Sequence, residues 1–397
     1  MKYLKSSFFI LLFVIIPGSL YSRVNKIESD SVRISLLTCS PGEEIYSLFG
    51  HTAIRYEDPT KGIDLIFNYG IFSYDTPFFL WRFVKGETDY ELGVNDYEAF
   101  EAAYKFHDRG IWQQSLNLTT KEKQKLYFIL RENYKPENRV YRYNFFFDNC
   151  STRARDRIED AIDGEVKYQE TNYRQTFRDI VHECSEDYEW DRFGMDFCLG
   201  VKADRPITFR EEMFAPYYLM YAFGKAKIID EDGESRHLVY DTELILDYSG
   251  EKSSDITFFT PFRTFLLLFI LIAGATIYGI KKKKQLWGID IVLFAAAGLA
   301  GCVITFLTFF SEHPAVSHNY LLIVFHPLHL ILLPWILKKE IKGKRSWYHL
   351  VNFIILTLFI LLWTVIPQHF NPAVLPLALC LLIRSANNLI LTYKKEK

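Results

Sequence analysis

The chain is 397 residues long, more than a single hydrophobic core ordinarily grows to, so two regions are expected. Its 46 Lys and Arg residues against 48 Asp and Glu give a net charge of -2, which removes any general electrostatic attraction to nucleic acid. Charge is dense from Arg23 to Lys252 and sparse in the apolar blocks after Phe262, so the two regions differ in kind.

Lys2 and Lys5 precede an apolar run from Phe8 to Ile16 and then Pro17-Gly18-Ser19, the pattern of a secretory signal too short to span a bilayer comfortably. Leu20-Tyr21-Ser22 departs from the small-residue cleavage pattern, so residues 1–22 are read as a signal peptide or a retained signal anchor. Either one places the chain from Val24 onward outside the cytoplasm. Alternation over residues 32–37 predicts a strand, closed by the turn residues Ser40-Pro41-Gly42. Two further short runs, 51–56 and 64–69, flank Asp58-Pro59-Thr60-Lys61-Gly62 and predict a hairpin whose first strand opens at His51. Helical spacing recurs over 97–106 and 119–134, the second with Thr119 or Thr120 as N-cap and Glu122 behind it. An aromatic, strand-like stretch over 139–147 then leads through a polar turn into a helix over 154–162. That sets Cys150 at or near a helix N-terminus, where unpaired N–H groups and the dipole favour thiolate. Residues 168–247 are polar and aromatic, with a turn at Asp230-Glu231-Asp232-Gly233, and 251–255 reads as a linker.

After Pro261, apolar runs over 262–280, 288–310, 320–337, 350–366 and 373–391 alternate with short polar joints, each run near the ~20 residues a crossing needs. About five transmembrane helices are expected. The joints at 281–284, 338–345 and 394–397 are basic, whereas 311–319 and 368–372 carry no Lys or Arg. The positive-inside rule makes the basic joints cytoplasmic and the segment before Phe262 extracytoplasmic, in agreement with the signal sequence. The expected organisation is therefore a signal or anchor (1–22), an extracytoplasmic domain (23–255) and a transmembrane helical domain (256–397), in a multi-pass protein of the inner membrane.

Cys39, Cys150, Cys184 and Cys198 lie in the exported part, where disulfides are permitted; Cys184 with Cys198 is the candidate bridge, although spacing does not dictate connectivity. Cys302 and Cys380 fall in apolar runs and are read as packing residues. No Cys/His cluster has ligand spacing, so neither a metal nor another cofactor is expected.

Two polar motifs interrupt apolar surroundings: Ser47-Leu48-Phe49-Gly50-His51-Thr52 ahead of a strand, and Asn149-Cys150-Ser151-Thr152-Arg153 at a helix start. A thiol nucleophile needs a base to take its proton and a third group to hold the base. The bland alternative is a small buried cysteine and a satisfied histidine. The order of Gly-His at a strand start and Asn-Cys at a helix start about a hundred residues on resembles the circularly permuted papain-like (NlpC-type) thiol enzymes, including lecithin:retinol acyltransferase. More closely, Phe49-Gly50-His51-Thr52-Ala53-Ile54-Arg55, Asn68-Tyr69-Gly70 and Asp148-Asn149-Cys150-Ser151-Thr152-Arg153-Ala154-Arg155-Asp156, with transmembrane segments after them, are similar to the Lnb-type lipoprotein N-acyltransferases.

The resemblance implies an α+β fold of permuted papain-like type ahead of an all-α membrane bundle. It implies a lipoprotein N-acyltransferase in which Cys150 accepts an acyl chain from phospholipid as a thioester and His51 is the base. The acceptor would be the α-amine of a lipid-modified lipoprotein's N-terminal cysteine. Asn68, with Asp64 behind it, is the candidate to orient His51, where the permuted enzymes often carry a second histidine. Ser47, Asn149, Arg153, His313 and Asn319 are the candidate substrate-binding residues. Arg153 or Arg155 would hold a lipid phosphate, or else pair with Asp156 or Glu159. His313 and His318 lie in a neutral joint at headgroup depth, and the backbone N–H groups of Cys150 and Ser151 are candidate oxyanion donors. The aromatic stretch from Phe72 to Phe83 is expected to dock on the membrane. Rival readings are a membrane-anchored thiol peptidase or amidase, a phospholipase built from the same parts, and a non-enzymatic membrane scaffold.

Overall fold

The computed structural model describes residues 31–72, 77–171, 174–250 and 258–393. The signal or anchor at 1–22, the linker at 251–255 and the basic segment 394–397 lie outside the described residues. An antiparallel seven-stranded sheet forms the centre of the first region. Its strands are β1 (Arg33–Cys39), β2 (His51–Asp58), β3 (Ile63–Ile71), β4 (Asp89–Asp96), β5 (Ile111–Leu116), β6 (Val140–Arg142) and, late in the chain, β10 (Val239–Leu246), in the order β10-β5-β1-β2-β3-β4-β6. A smaller sheet joins β7 (Glu165–Lys167), β8 (Lys227–Ile229) and β9 (Ser235–His237). Helices α1 (Phe79–Lys85), α2 (Tyr97–Phe106), α3 (Thr120–Tyr134), α4 (Cys150–Ala161), α5 (Phe177–Cys184), α6 (Glu189–Cys198), α7 (Phe209–Glu212) and α8 (Pro216–Lys225) surround the sheets.

The β2–β3 hairpin forms where alternation predicts it, with Glu57 opposite Asp64 and Ile54 opposite Phe67. Helix α3 starts as the sequence requires: Thr119 and Glu122 cap each other's backbone N–H reciprocally. The expected strand over 139–147 stops at Arg142, because Asn144 and Asp148 exchange backbone hydrogen bonds and close a tight turn before α4. Helix α4 packs across β2 and β3 and against α3, and its Ala154, Ile158 and Ala161 join Ile54, Phe67 and Leu126 in the main core.

The membrane region consists of α9 (Pro261–Lys281), α10 (Trp287–Phe310), α11 (Leu328–Ile331), α12 (Leu333–Ile341), α13 (Trp347–Leu361) and α14 (Val374–Tyr393). Among the described residues, three helices are long and apolar enough to cross a membrane: Pro261–Lys281, Trp287–Phe310 and Val374–Thr392. The other two expected runs do not form single long helices. Residues 320–337 break into short pieces around Pro327 and Pro334, whose rings remove backbone donors and clash with the preceding turn. The fourth run yields the 15-residue α13, about 22 Å of helix at 1.5 Å per residue. Two charges well inside the apolar runs answer each other: Arg384 of α14 grips Asp290 of α10 in a fork of 2.6 and 2.7 Å and donates to Thr276 of α9. Pairing of this kind lets a full charge sit in an apolar bundle.

The two regions meet through buried polar contacts. Asn319 donates to the Phe197 carbonyl, Gln368 to the Leu199 carbonyl and Asn371 to Asp196. On the other side of that joint, Arg178 pairs with both Asp196 and Asp204 at 2.6 and 2.7 Å.

Candidate active site

His51 is positioned by Gly50. That residue has a φ of 82°, and a Cβ there would stand 2.6 Å from the Cys39 carbonyl oxygen, so only glycine lets the chain turn into β2 with His51 opposite Cys39. From the far side, α4 presents Cys150 as its first residue. The Asn149 side chain caps this helix, accepting from Ser151 N–H and Thr152 N–H at 2.9 and 3.0 Å while donating to the Phe145 and Phe214 carbonyls.

The two motifs, about a hundred residues apart in sequence, meet over β3. A Cβ added to Gly70, whose φ is 94°, would lie 3.7 Å from Cys150 Cβ and 4.0 Å from His51 Cε1. The missing side chain leaves room beside both reactive groups. His51 Nε2 donates to Asn68 Oδ1 at 2.6 Å. This leaves Nδ1 as the ring nitrogen for the thiol, and it fixes one tautomer through a neutral amide.

The electrostatics favour an ion pair. Burial pushes the Cys150 thiol up, but the neighbouring His51 imidazolium, the His51 hydrogen bond, the Thr52 backbone N–H and the Ser151 hydroxyl outweigh it, and the thiol ends below its ordinary value. Burial likewise pushes His51 down; the Cys150 thiolate and the Asn68 amide prevail, and the imidazole ends above its ordinary value. Each group stabilises the charged form of the other. By contrast Cys39, on the neighbouring strand, is a buried thiol pushed up to about 12 by desolvation. Such a pair can attack an ester or amide carbonyl, with the imidazolium supplying the proton to the leaving group.

The other candidate residues fall elsewhere. Asp64 is held in a fork by Arg55 at 2.8 and 2.6 Å, at the far end of the hairpin from His51. Ser47 is buried and donates to the Glu44 carbonyl, so it shapes the approach to Gly50. Arg153 has its fork filled by Asp148 at 2.6 and 2.8 Å and stacks on Tyr141, a pairing with neither acid considered from the sequence. Arg155 pairs with Asp156. Asn319 is buried in the joint between the two regions, bonded to Phe197 and Gln368. His313 is half-buried and bonds the Phe83 carbonyl at 2.8 Å, while His318 is exposed in the same loop.

Two expectations are corrected. Ser151 N–H is not a free oxyanion donor, since Asn149 takes it; Cys150 N–H is the member of that pair the cap leaves unused. Cys184 and Cys198 are not bridged: all six cysteines are free thiols. Cys184 closes α5 and Cys198 closes the ten-residue α6, so each thiol sits at the end of its own helix. The sequence alone does not assign roles to Thr52, whose hydroxyl meets Ser151 Oγ at 2.9 Å, or to Gly70. A glycine two residues beyond Asn68 on the same strand face was the available signal for the second.

Residues 22–183 match the Lnb N-terminal periplasmic domain and residues 251–396 match the Lnb transmembrane domain. The two matches together take in most of the chain. No curated protein and no solved structure matches it.

Proposed function

We propose that this Lnb-type protein, a membrane-anchored chain with a periplasmic domain, moves an acyl chain from phospholipid to the α-amine of a lipoprotein's N-terminal cysteine. The observation that carries the reading is the thiol of Cys150 held beside His51, which Asn68 in turn orients. The order of histidine strand and cysteine helix supports treating the domain as a permuted papain-like thiol fold. The membrane bundle supports lipid substrates, because donor and acceptor both reside in the bilayer and tethering turns their encounter into a local one.

In the first half-reaction the Cys150 thiolate attacks an ester carbonyl of the phospholipid, the ester C–O bond breaks, and His51 gives its proton to the departing glycerol oxygen. The Cys150 backbone N–H, at the N-terminus of α4, is the donor for the oxyanion. In the second, the acceptor amine attacks the thioester, His51 takes the amine proton, the C–S bond breaks and an amide forms. Water must be excluded, since hydrolysis of the thioester would turn the same parts into a phospholipase. The acyltransferase is read as an inner-membrane enzyme that uses no metal or other cofactor. Comparing lipoprotein N-terminal peptides from cells with wild-type protein and with Cys150→Ser tests it: the amide-linked chain is expected to disappear in the variant, and its persistence would reject the reading.

A further inference from the structure

The short helix α1 has no buried residue. Phe78, Leu80 and Trp81 are 83, 73 and 57 % exposed, an apolar face that water alone would not favour. Yet α1 is firmly seated on the periplasmic end of α10. The Trp81 ring lies 4.6 Å from that of Phe306, Ser311 Oγ donates to the Val84 carbonyl at 2.8 Å, Glu312 N–H to the Lys85 carbonyl at 2.8 Å, and His313 bonds the Phe83 carbonyl. Phe309 and Phe310, at the same end of α10, are themselves exposed. A helix fixed at that level with its apolar face outward lies at the depth where aromatic side chains settle in a bilayer.

From the inner side of α1 a file of aromatic rings runs toward the thiol. Phe79 stacks on Phe72 at 5.4 Å, Phe72 meets Tyr90 edge-on at 4.9 Å, and Tyr90 meets Tyr143 edge-on at 4.0 Å. Phe72, Tyr143 and Cys150 all pack on the same core, of which Tyr90 is part. Tyr143 is close enough to Cys150 that, after burial and the nearby Tyr90, the charge of that thiol helps hold its phenol well above the ordinary value. Phe79, Phe72 and Tyr143 are half-buried and Tyr90 is buried, and such rings offer an apolar surface, with the two tyrosine hydroxyls as polar handles.

We propose that α1 lies in the outer leaflet's interface and that an acyl chain of an outer-leaflet phospholipid reaches Cys150 along the file Phe79, Phe72, Tyr90 and Tyr143. The proposal rests on the acyl-transfer reading and adds the leaflet, the direction of approach and the residues that contact the chain. It assigns to Phe72 and Tyr90 the selection of chain shape.

The test uses full-length Cys150→Ser protein in phosphatidylethanolamine vesicles containing a phosphatidylethanolamine with a diazirine midway along one acyl chain, photolysed and mapped by peptide mass spectrometry. Cross-links on Phe72, Tyr90 or Tyr143 are expected; cross-links confined to the membrane helices α9 to α14 would overturn the route. Leu80→Glu with Trp81→Glu is expected to lower cross-linking on the file by about tenfold, the effect of roughly 1.4 kcal/mol at the interface, and unchanged labelling would remove α1 from the proposal. A soluble short-chain ester offered to protein with Cys150 intact separates the two levels. A thioester from it with no cross-link on the file sinks the route and keeps acyl transfer. Cross-links on the file with no thioester from any donor keep the lipid path and sink acyl transfer.

Discussion

Two charged clusters of the periplasmic domain are built in opposite ways. Around Arg178 every guanidinium nitrogen is engaged: Nε and Nη2 reach Asp204, Nη1 reaches Asp196, and Nη2 also meets the Leu199 and Gly200 carbonyls. The cluster is almost fully buried, and Asn371 of the membrane region completes it. Around Cys150 the opposite holds. The thiol and imidazole charge each other, only the back of the imidazole is fixed, by Asn68, and a glycine keeps the neighbouring space open. Saturation marks a joint; an ion pair with open space beside it marks a place where a substrate can bind.

Substitutions at the two clusters should therefore separate activity from stability. Cys150→Ser is expected to remove acyl transfer by about 10⁴-fold or more, since nucleophile and base act as a unit, with the thermal midpoint of the purified protein unchanged. A large fall in that midpoint would assign Cys150 to packing. Arg178→Met should do the reverse, destabilising the domain by about 3–5 kcal/mol in denaturant titration through the two carboxylates left buried, while the activity per folded molecule persists. Loss of the chemistry without loss of stability would break the distinction.

Asn68→Ala should cost about 10- to 100-fold in the acylation half-reaction, as removal of an orienting partner commonly does. It also carries a pH signature. The reactive form needs Cys150 ionised and His51 protonated, so the rate rises as the thiol loses its proton, below the ordinary thiol value, and falls as the imidazole loses its proton, above the ordinary imidazole value. Without the Asn68 acceptor His51 is held up less, and the alkaline limb should move to lower pH; an unmoved limb would deny Asn68 its orienting role. The smallest effect is expected at a comparable cap with no site attached: Thr119→Ala should cost about 1 kcal/mol of stability and leave the pH profile alone.

The parts of the site that were legible in the sequence are those that local geometry encodes. His51 and Cys150 stood out because a Gly-His pair opened an alternating strand and an Asn-Cys pair opened a helix, and Asn68 stood out by being on the hairpin strand that faces back toward His51. Asp64, on the same strand, lies opposite Glu57 instead, at the wrong end of the hairpin. What escaped depends on partners distant in the chain. The Arg178 cluster draws on Asp196, Asp204 and Asn371, and Asn319 becomes a bracket only because Phe197 and Gln368 arrive from two other segments. Hydropathy marked 320–337 as one apolar run, and Pro327 and Pro334 divide it into short helical pieces that the run's composition alone did not foretell. Cys184 and Cys198 end successive helices, α5 and α6, and are free thiols, because spacing along the chain does not dictate connectivity.

The central claim is that Cys150 carries a fatty chain. Intact-mass spectrometry of the purified full-length protein after incubation with phospholipid vesicles tests it most directly. One acyl group should be found on Cys150, released by hydroxylamine and missing from the His51→Gln and Cys150→Ser variants. A wild-type protein that stays unmodified with every phospholipid offered, or an adduct that survives in the Cys150→Ser variant, would contradict it.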